Sequence, residues 1–191
     1  MNTFVAELWK NWTGTAPTEI QSELLELCLT LCIDNGPDSP SAAATRAAAA
    51  DNKIFAQQIV AGLLTLGPVH GNAGSAAAHN WIAAVQNKIS PADFIASQQI
   101  IPGVGHRIYE IDERTEKIYA ATTKLLSATP HFNFARAVAA ELSTQKNKTI
   151  PLNIDGALGA LMADIGAPPH LADAIFLVAR AGGLVRYALP Q

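Results

Sequence analysis

The chain has 191 residues, 49% hydrophobic and 15% charged, with 13 Lys+Arg against 16 Asp+Glu for a formal net charge of −3. That length suits one domain, or one domain with an inserted lobe, and it suffices to bury a sizeable core. The composition excludes intrinsic disorder and a basic nucleic-acid footprint; with no apolar run long enough for a bilayer and no signal-peptide plan in MNTFVAELWKNW, a cytoplasmic protein without nucleic-acid or membrane partners is expected.

Aromatic residues make up only 6%, alanine is abundant, and no run alternates with a period of two, so the fold class expected is all-α. The first twenty residues carry little signal. Residues 17–33 predict the first strong helix, with Pro17 at its first position and Thr15 or Thr18 as cap. Cys28 and Cys32 lie one turn apart on it; with no second Cys/His pair they read as core residues, and no metal site is expected. DNGPDSP (34–40) is a loop, followed by helices at about 41–50 and 52–66. GPVHGNAGS (67–75) is a glycine-rich turn, and a helix runs on to about 88. SPADF (90–94) is a cap plus a Pro start, and IIPGVGH (100–106) is another Gly/Pro loop. Further helices are expected at 112–128 and 132–145, then from just after Asp155 to about 166, and finally at 168–189, the last loosened at Gly182-Gly183.

Three turns place an ionisable side chain at a helix end: GPVHGNAG with His70, PGVGHRIY with His106 and LNIDGALG with Asp155. Glycine lets a ligand approach the backbone closely, and a helix N-terminus offers free N–H donors to an anion. Two imidazoles and a carboxylate make a proton-transfer set. Each residue also fits a plainer role, His70 and His106 as turn caps and Asp155 as a helix N-cap. His79, His131 and His170 are assigned no role.

Taken together, GPVHG, PGVGHRIYEIDER and NIDGALG resemble, in order and spacing, three motifs of the citrate synthase family. ELCLTLCIDNGPDSPSAAATRAA, AGLLTLG, LNIDGALGALMADIG and IFLVARAGGLVRYALPQ look like its citryl-CoA lyase branch, the module at the C-terminal end of ATP-citrate lyase. The resemblance covers residues from about 20 to 191. It implies a helical fold with a reduced large domain (1–70 and 156–191) and a small CoA-binding domain (71–155).

The resemblance also implies a function. The expected enzyme is a carbon–carbon lyase or acyltransferase that cleaves citryl-CoA, or a related acyl-CoA, to acetyl-CoA and oxaloacetate through an enolate. A condensing enzyme on acetyl-CoA and a 2-oxo acid, or a non-catalytic CoA-ester-binding or oligomerisation paralogue, are the alternatives. Asp155 would handle the proton of the acetyl carbon, His70 the thioester carbonyl, and His106 the oxaloacetate carbonyl. Arg114 and Arg180, with Asn35, match carboxylate-binding positions. Ile100, Ile101, Pro102, Gly103, Val104 and Gly105 match the loop receiving the adenine end of CoA, with Asn153 as a further candidate. No bound cofactor is implied; coenzyme A enters as thioester substrate or product. A homodimer or homotetramer is implied, and a separate protein that forms citryl-CoA is a possible partner. The sequence departs from the pattern at Asn35, where the family commonly has His. It stops before the position of a further family arginine, and His70 follows the synthase branch where the lyase module has an apolar residue.

Overall fold

The computed structural model describes residues 3–106 and 110–189. Local capping chemistry starts most of its helices. Thr3 caps α1 (Phe4–Thr13) by accepting from the Ala6 N–H, and Thr18 forms a reciprocal capping box with Gln21 at the head of α2 (Glu19–Cys32). Ser39 caps α3 (Pro40–Ala50) and Ser90 caps α6 (Pro91–Ala96), each followed by Pro at the first turn. Between them lie α4 (Phe55–Leu63) and α5 (Gly74–Gln86). Asp112 caps α7 (Glu113–Leu125) and Asn153 caps α9 (Ile154–Asp164); α8 (Pro130–Lys146) and α10 (Leu171–Ala188) complete the order. Among the described residues there is no strand, only isolated bridges at Gly67–Gly71 and Val104–Leu152, so the fold is all-α as expected.

Helix α9 sits at the centre, with every residue from Ile154 to Met162 buried. It is surrounded by α5, α7, α8 and α10. An aromatic group of Trp81, Phe94 and Phe134 covers its first turn, where the Trp81 indole N–H donates to the Gly156 carbonyl at 3.2 Å. At its other end, the buried Asp164 carboxylate accepts from the backbone N–H groups of His131 and Phe132 at 2.9 and 3.0 Å. It thereby caps α8, whose own N-cap residue Thr129 makes no such bond. The His131 ring nitrogen lies 2.8 Å from the same carboxylate, a structural role that sequence reasoning did not assign. The main core runs across the boundary expected at residue 71, since Leu24, Trp81, Phe132 and Phe176 share one buried cluster. No helix among the described residues is long and apolar enough to cross a membrane.

Several sequence expectations are corrected. The uninformative N-terminus forms α1, which buries Trp9 against α2. Helix α2 starts at Glu19, because Thr18 is the better cap and Pro17 stays outside. Helix α4 is shorter than 52–66. Asn153, not Asp155, is the N-cap of α9. Helix α10 runs unbroken through Gly182-Gly183. There the absent side chain serves packing rather than loosening: a Cβ on Gly183 would collide with the Ile33 carbonyl at the end of α2.

The two glycines should therefore respond oppositely to alanine. Gly182 has open space around it, so Gly182→Ala should stabilise by up to about 1 kcal/mol through helix propensity. Gly183→Ala should destabilise by roughly 1–3 kcal/mol through overpacking. Urea denaturation of both variants checks this, and a shared sign would refute it.

Candidate active site

Separate stretches of chain converge on the first turn of α9. In the first, Gly67 and His70 exchange backbone hydrogen bonds of 2.9 and 2.8 Å, making a tight turn. The His70 ring is half-buried, with Nε2 at 3.2 Å from the Ser41 Oγ and its edge against Phe176 at a centroid distance of 6.2 Å.

In the second, the 100–106 loop is stitched to residues 151–153. The Gly105 N–H donates to the Pro151 carbonyl at 2.7 Å, and the Asn153 N–H to the Gly103 carbonyl at 3.0 Å. The Asn153 side chain spans the junction. Its Oδ1 accepts from the Gly156 N–H at 3.2 Å, and its Nδ2 donates to the Gly105 carbonyl at 2.7 Å. Gly103 has φ +84°, and a Cβ there would strike the backbone of Gly156. The two glycines thus let loop and helix touch backbone to backbone.

A cleft of about 280 Å³ results, lined by residues 100–106 together with Val69, Ala73, Asn153 and Asp155. The structure thereby brings together His106, Asp155, Asn153 and the expected CoA-loop residues Ile100, Ile101, Gly103, Val104 and Gly105. His70 is not among the lining residues and faces Ser41 and Phe176 instead. Arg107 and Tyr109 of the GHR-x-Y motif lie outside the described residues.

Asp155 is 8% exposed, and its Oδ1 has no hydrogen-bond partner. Burial pushes its carboxyl up to about 6; the backbone amides of Ala73 and Gly71 and the charge of Arg114 oppose this, while Asp173 adds to it. Burial holds His106 below the usual imidazole range, partly opposed by Asp112. A carboxyl raised toward neutrality, beside an imidazole that burial keeps in its neutral form, suits proton transfer in one cleft.

A neighbouring cleft of about 410 Å³ is lined by Asp34, Asn35, Gly36, Ile111, Asp112, Glu113 and Arg114. Arg114 is held in a two-pronged fork by Asp112, with Nε to Oδ1 at 2.9 Å and Nη2 to Oδ2 at 2.8 Å. Its Nη1 donates to the Asn35 Oδ1 at 2.8 Å. Burial alone would raise the Asp112 pKa, but these contacts with Arg114 outweigh it and hold the carboxyl below its ordinary value. Arg180 stands behind this cleft, fully buried rather than reaching for solvent. It donates to the Ile33 carbonyl at 3.2 Å and the Ser39 Oγ at 3.3 Å, with Asp34 at 3.6 Å, and its Nε has no partner. Asp34 also accepts from the Tyr187 hydroxyl at 2.9 Å.

Sequence reasoning missed Asp112, Ser41 and Asp34. The D-x-R spacing was a usable signal for Asp112, because a carboxylate two residues before an arginine at a helix start can cap the helix and hold the guanidinium together. Ser41 and Asp34 carry no local signal.

The family model described as "Citrate synthase, C-terminal domain" matches residues 1–189. The chain is 32% identical over 193 residues to the "Probable ATP-citrate synthase" of Dictyostelium discoideum, covering 89% of this chain and 30% of that protein. It is 29% identical over 190 residues to "ATP-citrate synthase beta chain protein 2" of Arabidopsis thaliana, covering 89% and 31%. The chain thus spans under a third of the length of these relatives. Among solved structures, citryl-CoA lyase from Hydrogenobacter thermophilus superposes with a TM-score of 0.87 at 32% identity, over 97% of this chain and 75% of that one. An ATP citrate lyase of Methanosaeta concilii, solved with (3S)-citryl-CoA, gives a TM-score of 0.90 over 97% of this chain and 33% of that one. At 23% identity it speaks to the fold alone.

Because Asp155 is raised from 3.8 to about 6, it favours the folded state fully only below its unfolded pKa, and that contribution is lost as pH rises through about 6. Asp155→Asn should therefore be more stable than wild type at pH 8, by on the order of 3 kcal/mol, with the gap closing toward pH 4. Thermal denaturation between pH 4 and 8 reads this; a gap independent of pH would refute it.

Proposed function

The chain belongs to the citrate synthase family, and we propose that it is a citryl-CoA lyase-like enzyme cleaving citryl-CoA, or a related acyl-CoA, to acetyl-CoA and oxaloacetate. The observation that carries this reading is the pairing, in one cleft, of a buried carboxyl near 6 with a half-buried imidazole beside a glycine loop. The likeness to the Hydrogenobacter citryl-CoA lyase favours the lyase branch.

In the cleavage direction, neutral His106 takes the proton of the tertiary hydroxyl. The bond between the hydroxyl-bearing carbon and the thioester's α-carbon breaks, leaving the oxaloacetate carbonyl on one side. The bonding pair moves toward the thioester carbonyl as an enolate. Protonated Asp155 then delivers its proton to the α-carbon, giving the acetyl methyl. His106 suits its part because burial favours its neutral form, and Asp155 suits its part because burial retains its proton. In the condensing direction the same groups start in the opposite protonation states.

Arg114 binds a substrate carboxylate through the guanidinium edge that Asp112 leaves free. Arg180 contributes positive potential from behind Asp34. The thioester chain follows the 100–105 loop, whose glycines admit its close approach. His70 reaches the thioester carbonyl only by exchanging its Ser41 contact for the ligand. Residues 71–155 act as the small domain on this reading, within a homodimer or homotetramer, and a separate protein supplies citryl-CoA.

The test is oxaloacetate release from citryl-CoA, coupled to malate dehydrogenase and NADH. Wild type should release oxaloacetate, and Asp155→Asn should lose roughly 10²–10⁴-fold in kcat. The rate should fall as pH rises above about 6, as Asp155 loses its proton. A folded wild type that releases none would sink the reading.

A further inference from the structure

We propose that Asp112 is a positioning residue that fixes the carboxylate-binding cation and the proton-transfer end of α9 as one unit. The proposal rests on the function proposed above for both clefts. The Asp112 side chain is 2% exposed. Its Oδ1 accepts from the Arg114 Nε at 2.9 Å and from the Arg114 backbone N–H at 3.2 Å. Its Oδ2 accepts from the Arg114 Nη2 at 2.8 Å and from the Ile154 N–H at 3.1 Å. Both oxygens are occupied, so Asp112 acts through its partners rather than on substrate.

The Ile154 bond matters because of where it falls. Ile154 is the first residue of α9, and its N–H is one of the donors a helix start leaves unmet. The Asn153 side chain is spent on the Gly156 N–H and does not serve it. Asp112 supplies the acceptor from another element, 42 residues away. The next residue is Asp155. One carboxylate therefore ties Arg114, in the larger cleft, to the backbone that carries Asp155, in the smaller one.

A simple cap for α7 would need only the bond to the Arg114 N–H, and Asn would serve as well as Asp there. The fork to the guanidinium and the bond to Ile154 go beyond it. The charged and titratable groups facing Asp112 are Arg114 on its own helix, His106 from the loop and Cys32 from α2.

Asp112→Asn keeps the cap but removes the charge and half of the fork. In the full chain, the KM for citryl-CoA should rise roughly tenfold or more, as expected for losing a charge-assisted bidentate contact. The Kd for free CoA should stay within about twofold. The His106 imidazole, followed by NMR, should titrate lower once its negative neighbour is gone, and Asp112→Glu should restore that titration but not the KM. A wild-type KM in Asp112→Asn overturns the proposal. Should wild type itself show no turnover, the functional reading fails, and hydrogen exchange at the Ile154 amide in Asp112→Asn decides on Asp112: exchange at the wild-type rate overturns the proposal. Should Asp112→Asn not fold, Arg114→Lys breaks the fork from the other side. Faster hydrogen exchange at the Ile154 amide is then expected, and exchange at the wild-type rate overturns the proposal.

Discussion

Burial of α9 on all sides is the constraint from which the rest of the molecule follows. A helix apolar all round has no solvent to satisfy its ends, so neighbouring chain must meet its terminal donors and approach it closely. Small residues answer the second demand: Gly156 meets Gly103 of the loop, and Gly159 meets the backbone of Gly74 and Ala78 on α5. Polar side chains answer the first, with Asn153 and Asp112 at the N-terminus. The candidate site is therefore where the structural demands of the core helix are met. Placing Asp155 there costs stability at neutral pH and gives a carboxyl that keeps its proton unusually well.

The charges behind the larger cleft follow from the same crowding. Arg114 is held by Asp112 along one edge and by Asn35 at Nη1, and Arg180 is buried with longer, weaker contacts and an unpartnered Nε. Two guanidinium groups this close need neighbours that add no further positive charge. Cys28 and Cys32 fit that role. Burial pushes the Cys32 thiol up to about 12 and raises Cys28 as well, so both stay neutral and fill space like small apolar residues.

Where a structural decision was local, the sequence was readable. Ser90 announced α6 through its cap and proline positions, Thr18 was one of the two caps offered for α2, and α7 and α8 were expected close to where they fall. The glycine loops were legible as sites of close approach, and the cleft does join His106, Asp155 and residues 100–105. What failed was long-range. Gly183 looked like a weak point because the Ile33 carbonyl that requires it comes from α2. Asp155 looked like a cap because the preceding Asn153, read as a ligand contact, takes that role at one end and binds Gly105 at the other. The contact between His70 and Ser41 joins residues 29 apart that no periodicity relates. The Asp164 cap on α8 acts across 33 residues and likewise leaves no local trace.

The bond from Arg180 to the Ile33 carbonyl links residues 147 positions apart. Contacts of such separation form late, because the loop must close before they return any energy. On a ribosome adding about 5–20 residues per second, α2 would emerge roughly 7–30 s before α10 exists to cover it. Through that interval Leu24, Leu25, Cys28 and Cys32, all buried in the finished protein, face solvent or whatever escorts the nascent chain. Arg180 of α10, and with it the backing of the larger cleft, is added only 147 residues after Ile33.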